Sequence, residues 1–168
     1  MTRFVAYGIL ALAALALEVT WLSDIRPGGA AVDPLLVLVV SVGLLHGPIE
    51  GAVAGAAGGL MQDVVTGVPL GLGMLGTLCA GFGAGLGEGR LYLEDVWLPA
   101  IAAFTLTIVR DAVWIGAGHM VGVLNVSLTE AVRVTALAAC YNSVVAIPIF
   151  QWLRRLDGAL QRFSERPR

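Results

Sequence analysis

Glycine recurs at every fourth position in one apolar segment of this chain, at Gly51, Gly55 and Gly59. In a soluble helix each of these glycines would cost about 1 kcal/mol relative to alanine. In lipid the spacing is useful, because small residues at i, i+4 and i+8 share one helix face and let a second backbone approach closely. We therefore predict a membrane helix whose glycine face packs against a helix of the same chain, of a second copy or of a partner protein.

The composition places the whole chain in the same class. Of its 168 residues, 58% are hydrophobic and only 13% are charged. A soluble domain of this size cannot bury so much apolar surface. The alternation of apolar and polar residues that marks a transmembrane β-barrel does not occur in the sequence. We expect an all-α polytopic integral membrane protein with about six transmembrane helices.

The hydrophobic pattern divides residues 1–153, the predicted transmembrane domain, into six apolar segments. The second and third are short, since at 1.5 Å per residue each covers about 21 Å of a ~30 Å hydrocarbon core. They form either two short spans in a thinned bilayer or one re-entrant hairpin, with ends set by Asp33, Pro34 and Asp63. The six segments are residues 4–22, 32–45, 49–62, 70–86, 97–118 and 129–153.

The distribution of arginine predicts the orientation. Arg3, Arg90 and the five arginines of residues 154–168 would lie on one side of the membrane, and Arg26 on the other. By the positive-inside rule, the N- and C-termini are then cytoplasmic. We expect residues 154–168 to form a basic amphipathic helix on the inner leaflet or, equally, a simple stop-transfer anchor. The N-terminal apolar run is interpreted as a retained first span and not as a signal peptide, because it is about long enough to cross.

Ionisable residues inside the predicted spans form a candidate site. Glu18 and Arg110 each lie about 20 Å above the inner end of their helices, so they are expected to meet at one level. With Asp111 and Arg133 they would form an intramembrane ionic cluster. We favour a structural network that fixes helix order, because the charges nearly balance; the alternative is a substrate or ion site. Asn142, midway in the sixth span, is expected to hydrogen-bond to another helix.

The sequence offers no arrangement of residues typical of catalysis. It contains no Ser/His/Asp set, no pair of catalytic carboxylates and no cluster with metal-ligand spacing. Cys79 and Cys140 lie within apolar segments and lack the spacing of a metal site. We therefore expect no enzyme activity, no cofactor, no metal and no nucleic-acid partner.

Residues 33–76 carry a series of short motifs. Together with the chain length and the basic C-terminal segment, they resemble the MreD family of rod shape-determining proteins. The motifs are Asp33-Pro34-Leu35-Leu36, the turn His46-Gly47-Pro48, the glycine stripe ending in Leu60-Met61-Gln62-Asp63, and Gly67-Val68-Pro69-Leu70-Gly71.

The resemblance implies a subunit of the cell-elongation machinery in the bacterial inner membrane, without enzymatic activity of its own. Such a subunit would bind the scaffold protein MreC. Through MreC it would connect to the MreB filament and to the RodA glycosyltransferase with its partner transpeptidase, and so help to position peptidoglycan synthesis. The family fold is thought to be similar to the six-helix substrate-binding subunits of energy-coupling-factor transporters. The alternative function is therefore a vitamin-type substrate-binding subunit of a transporter, and self-association through the glycine stripe is also open.

Overall fold

The regular structure of this chain is helical. A computed structural model describes residues 2–22, 27–88, 97–122 and 127–164, and side chains are described for 6–20, 28–88, 97–122 and 127–159. Within those ranges there are six α-helices and no strand, so the prediction of an all-α fold is confirmed. The helices are α1 (Thr2–Leu17), α2 (Pro34–His46), α3 (Pro48–Thr66), α4 (Leu72–Gly85), α5 (Leu98–Met120) and α6 (Leu128–Ser164).

Two shorter helical segments follow α1. A π-helical turn, Glu18–Leu22, continues α1 directly, and a 3-10 turn, Pro27–Gly29, precedes α2. The π turn changes the direction of the residues at the end of α1, because it spaces them differently from an α-helix. Glu18 is its first residue and takes part in the site described below.

Helix α2 is the central helix of the bundle. Its sequence is apolar on every side, as expected for a helix without an exposed face, and every residue from Pro34 to Leu44 is buried. It begins sharply because Pro34 occupies the first turn and the Asp33 carboxylate accepts the Leu36 N–H at 2.7 Å. It ends at Gly47, whose φ of 95° favours glycine. Its 13 residues give it a length of about 20 Å.

Helix α3 is longer than the apolar segment 49–62. It has 19 residues and a length of about 28 Å. The polar residues Gln62, Asp63 and Thr66 end the apolar run that defined segment 49–62, yet they continue the helix. The helix stops at Gly67, which adopts the left-handed conformation typical of a C-terminal cap.

Helices α5 and α6 are long and apolar enough to cross a membrane, over Leu98–Met120 and Leu128–Ala159. Shorter apolar helices cover Ala6–Thr20, Pro34–His46 and Leu72–Gly85. Helix α6 runs without interruption through residue 153, so the predicted start of the C-terminal tail is not a break in the helix.

The apolar core lies around α2. Leu36, Val40 and Leu44 of that helix pack against Ala80 and Ala84 of α4, and Phe150 of α6 joins the same cluster. In lipid, close packing of this kind holds helices together, because the surrounding acyl chains are as apolar as leucine and give little hydrophobic driving force.

Candidate functional site: a buried polar network and an adjoining cavity

The glycine stripe of α3 packs against α4 of the same chain. A Cβ atom on Gly51 would collide with the carbonyl oxygen of Gly81, and one on Gly55 with that of Thr77. A Cβ on Gly59 would collide with the hydroxyl of Thr77. That hydroxyl donates a hydrogen bond to the Gly55 carbonyl at 2.7 Å, which links α4 to the backbone of α3 within this contact. The stripe is therefore a contact between neighbouring helices, one of the alternatives that its spacing left open.

Asp63 holds the N-terminus of α4. Its side chain is 1% exposed and accepts backbone N–H groups from Gly71 at 2.8 Å, Gly73 at 2.9 Å and Met74 at 3.2 Å. A carboxylate at this position satisfies donors that a helix start leaves unpaired and complements the helix dipole. The sequence placed Asp63 at the end of a hairpin, and in the structure it fixes the turn between α3 and α4.

Asp33 joins α2 to two further helices. One carboxylate oxygen caps α2, and the other lies 3.2 Å from a guanidinium nitrogen of Arg110 on α5. Its backbone N–H donates to the Asn142 amide oxygen on α6 at 2.8 Å. Asn142 in turn donates to the Thr107 hydroxyl at 3.1 Å, which confirms the expected contact between helices.

Arg110 is the centre of the network. Besides Asp33, its guanidinium reaches the Asp111 carboxylate at 3.1 Å and donates to the Gln62 amide oxygen at 3.1 Å. Gln62 links Arg110 to Glu18, because its own amide nitrogen donates a hydrogen bond to the Glu18 carboxylate at 2.7 Å. The Thr135 hydroxyl donates to the second oxygen of Asp111 at 3.0 Å. We call these side chains the Arg110 network: Glu18, Asp33, Gln62, Arg110, Asp111, Thr135, Asn142 and Thr107.

The network brings together three of the four residues predicted as an ionic cluster, namely Glu18, Arg110 and Asp111. Arg133 lies elsewhere. Its side chain is 59% exposed and pairs with Glu130 at 3.5 Å. Residues 133 and 135 of one helix point about 200° apart, so Arg133 points away from the network because Thr135 faces it.

Sequence reasoning missed four members of this network. Asp33 was expected only as a helix boundary, and Gln62, Thr107 and Thr135 were given no role. The charge balance changes as a result. In the described part of the chain, three carboxylates (Glu18, Asp33, Asp111) surround the Arg110 guanidinium, where the sequence predicted near-equality.

A cavity of about 340 Å³ adjoins the network between α3, α5 and α6. Its charged lining residues are Asp63, Arg110, Asp111 and Glu130. Most of the remaining wall is apolar and includes Val68, Trp114, Ile115, Ala131 and Val134.

A second polar cluster joins α1, α2 and α6 at the ends of these helices that lie away from the Arg110 network. The Tyr7 hydroxyl donates to an Asp157 carboxylate oxygen at 3.1 Å, and the His46 ring nitrogen lies 3.3 Å from the same oxygen. The Tyr7 and His46 rings also meet edge to face, with centroids 5.5 Å apart. The cluster joins α1, the end of α2 and the late part of α6. Asp157 belongs to the segment predicted as a tail, yet it is buried.

These features define a class of protein, a bundle of apolar helices whose buried charges are paired with one another and with helix ends. Among the described residues, no group of three or more His, Cys, Asp or Glu side chains is placed to hold a metal ion.

One comparison with known protein families identifies the chain further. The model of the family described as rod shape-determining protein MreD matches residues 2–157, nearly the whole length. The chain belongs to this family, as the motifs of residues 33–76 predicted. It is accordingly a membrane protein with a role in rod-shape determination. Neither the curated proteins nor the solved structures gave a match.

Proposed function

We propose that this protein is a non-enzymatic subunit of the bacterial cell-elongation complex, and that it binds an MreC-like scaffold protein. Through that scaffold it connects indirectly to the MreB filament and to RodA with its transpeptidase, and so helps to position peptidoglycan synthesis. The family match over residues 2–157 carries the proposal. The alternative of a vitamin-type transporter subunit has no support in that match.

The pairing of the buried polar groups supports a structural role. Asp63 is satisfied by helix N–H groups, and Asp33 and Asp111 share the Arg110 guanidinium. Buried polar groups that hydrogen-bond in this way hold helices in one arrangement. A subunit with fixed helix order presents a constant surface to partners, which is what a complex requires of a structural member.

We further propose a multi-pass arrangement in the inner membrane with both termini in the cytoplasm. The arginine distribution supports it, and the two polar clusters agree with it. The Arg110 network joins the end of α1, the start of α2 and the end of α3, whereas the Tyr7 cluster joins the other ends of α1 and α2 to the late part of α6. The first would lie toward the outer face and the second toward the cytoplasm. We also propose that the fold is similar to that of the six-helix substrate-binding subunits of energy-coupling-factor transporters.

The C-terminal residues 154–168 are proposed as a basic element at the inner leaflet. Arg154 and Arg155 are exposed on α6, where they can meet lipid phosphates. Self-association through the glycine stripe is not part of the proposal, because α4 covers that face.

Cell shape tests the proposed function. In a rod-shaped bacterium depleted of its own family member, expression of this chain should restore rods in place of spheres. A matched control is the variant Gly55→Leu, which places a side chain where α4 lies and should not restore shape. Persistence of spheres with the wild-type chain, present in the membrane at normal amount, would contradict the proposal.

A further inference from the structure

The cavity beside the Arg110 network has the properties of a binding site. Its volume of about 340 Å³ falls within the usual range for ligand pockets, and its walls combine apolar side chains with a few converging polar groups. We propose that it receives a basic side chain, an arginine or lysine, from an extracytoplasmic segment of the scaffold partner. This inference rests on the proposed function and adds the place and chemistry of one contact.

The charge of the lining favours a cation. Among the described residues that line the cavity, Asp63, Asp111 and Glu130 supply three carboxylates and Arg110 one guanidinium. Asp63 is occupied by three backbone N–H groups. Asp111 and Glu130 are the other two: Asp111 shares the Arg110 guanidinium with Asp33, and Glu130 pairs at 3.5 Å with Arg133, an exposed contact that contributes little. A lipid phosphate would meet this lining with like charge, whereas a basic side chain would complement it.

The apolar walls fit the rest of such a side chain. Arginine and lysine bury their methylene groups against apolar surface and keep the charged end in a polar environment. Trp114 and Ile115 form one wall on α5, and Val134 forms another on α6. An indole face is also the best aromatic partner for a cation. Glu130 is half exposed, so the lining of the cavity reaches the protein surface at this residue.

A cavity-filling variant and a matched control test this inference. Val134→Trp places a large side chain inside the cavity, whereas Val132→Trp places the same side chain on α6 at a position that is 61% exposed. The full-length chain, co-expressed with its scaffold, is purified in mild detergent, and the retained scaffold is measured over a series of salt washes. We expect about a tenfold loss of scaffold affinity with Val134→Trp, the size of a strong interface contact, and no loss with Val132→Trp. Glu130→Gln should make retention less sensitive to salt.

The outcomes separate this inference from the proposed function. If the wild-type chain retains scaffold and Val134→Trp retains as much, the cavity is not the contact and only this inference fails. If Val134→Trp instead removes a bound lipid in native mass spectrometry and leaves scaffold retention unchanged, the occupant is a lipid and the inference is wrong. If the wild-type chain retains no scaffold, the proposed function itself fails. Equal melting temperatures of the two tryptophan variants ensure that a difference in retention does not come from unfolding.

Discussion

The guanidinium of Arg110 lies 3.2 Å from the carboxylate of Asp33, and that carboxylate caps the first turn of the central helix α2. One ion pair therefore fixes where α5 stands relative to the start of α2. Gln62 and Asp111 contact the same guanidinium. Buried pairs of this kind add little net stability compared with apolar packing, but breaking one leaves a buried charge uncompensated.

Arg110→Ala should therefore be strongly destabilising. It removes the cation from three buried or half-buried carboxylates, and we expect a loss of about 3–5 kcal/mol in the free energy of unfolding. The measurement is unfolding of the purified protein in mixed micelles, followed by circular dichroism. The matched control is Arg133→Ala, whose exposed pair with Glu130 should contribute less than about 1 kcal/mol. Equal effects of the two variants would show that the network does not hold the bundle.

Gly55→Leu should separate α3 from α4. Even a Cβ atom at this position collides with the Thr77 carbonyl, so we expect a loss of about 1–3 kcal/mol or more from overpacking. The control is Gly116→Ala on α5, where an added Cβ meets no atom within 4 Å. That change should be neutral or stabilising by up to about 1 kcal/mol. Thermal melting in detergent compares the two, and an unchanged melting temperature for Gly55→Leu would contradict the close contact.

Asp63→Ala should loosen the start of α4. It leaves three backbone N–H groups without their shared acceptor, and loss of a helix cap costs about 0.5–2 kcal/mol. Amide hydrogen exchange should become faster at Gly73 and Met74 and stay unchanged at the start of α2. Glu50→Gln, an exposed substitution in the first turn of α3, is the control and should alter neither region. Unchanged protection at Gly73 would mean that Asp63 does not cap α4.

Tyr7→Phe should release the late part of α6 from α1. It removes the hydroxyl that donates to Asp157 and should cost about 1 kcal/mol. Because the change is local, we expect faster trypsin cleavage after Arg154 and Arg155 without a change in the Arg110 network. Tyr141→Phe on α6 is a control outside the Tyr7 cluster. Cleavage rates that are equal in the wild-type protein and Tyr7→Phe would contradict the role of this cluster.

The number and order of the α-helices are predictable from the sequence, because each apolar segment of this membrane protein forms one helix. Helix α3 extends beyond the apolar segment 49–62, because Gln62 and Asp63 end the apolar run while their side chains bond to other parts of the chain. Depth along the helix, at 1.5 Å per residue, was enough to place Glu18 and Arg110 together.

The depth of a residue along its helix does not determine the direction in which its side chain points, and this explains the remaining errors. Arg133 has a suitable depth but points away from the network. The roles of Asp33 and Gln62 depend on which helices become neighbours around α2, and the sequence pattern does not contain that information. The partner of the glycine stripe was open for the same reason, and the structure identifies it as α4.

The central claim is that this chain acts by binding a scaffold protein, and purification of the complex tests it most directly. The tagged full-length chain is isolated in mild detergent from membranes that also contain the MreC-like scaffold, and the ratio of the two proteins is measured. We predict a stable complex of fixed ratio that survives gel filtration and is weakened by Arg110→Ala but not by Arg133→Ala. A folded wild-type chain that elutes without scaffold would contradict the account.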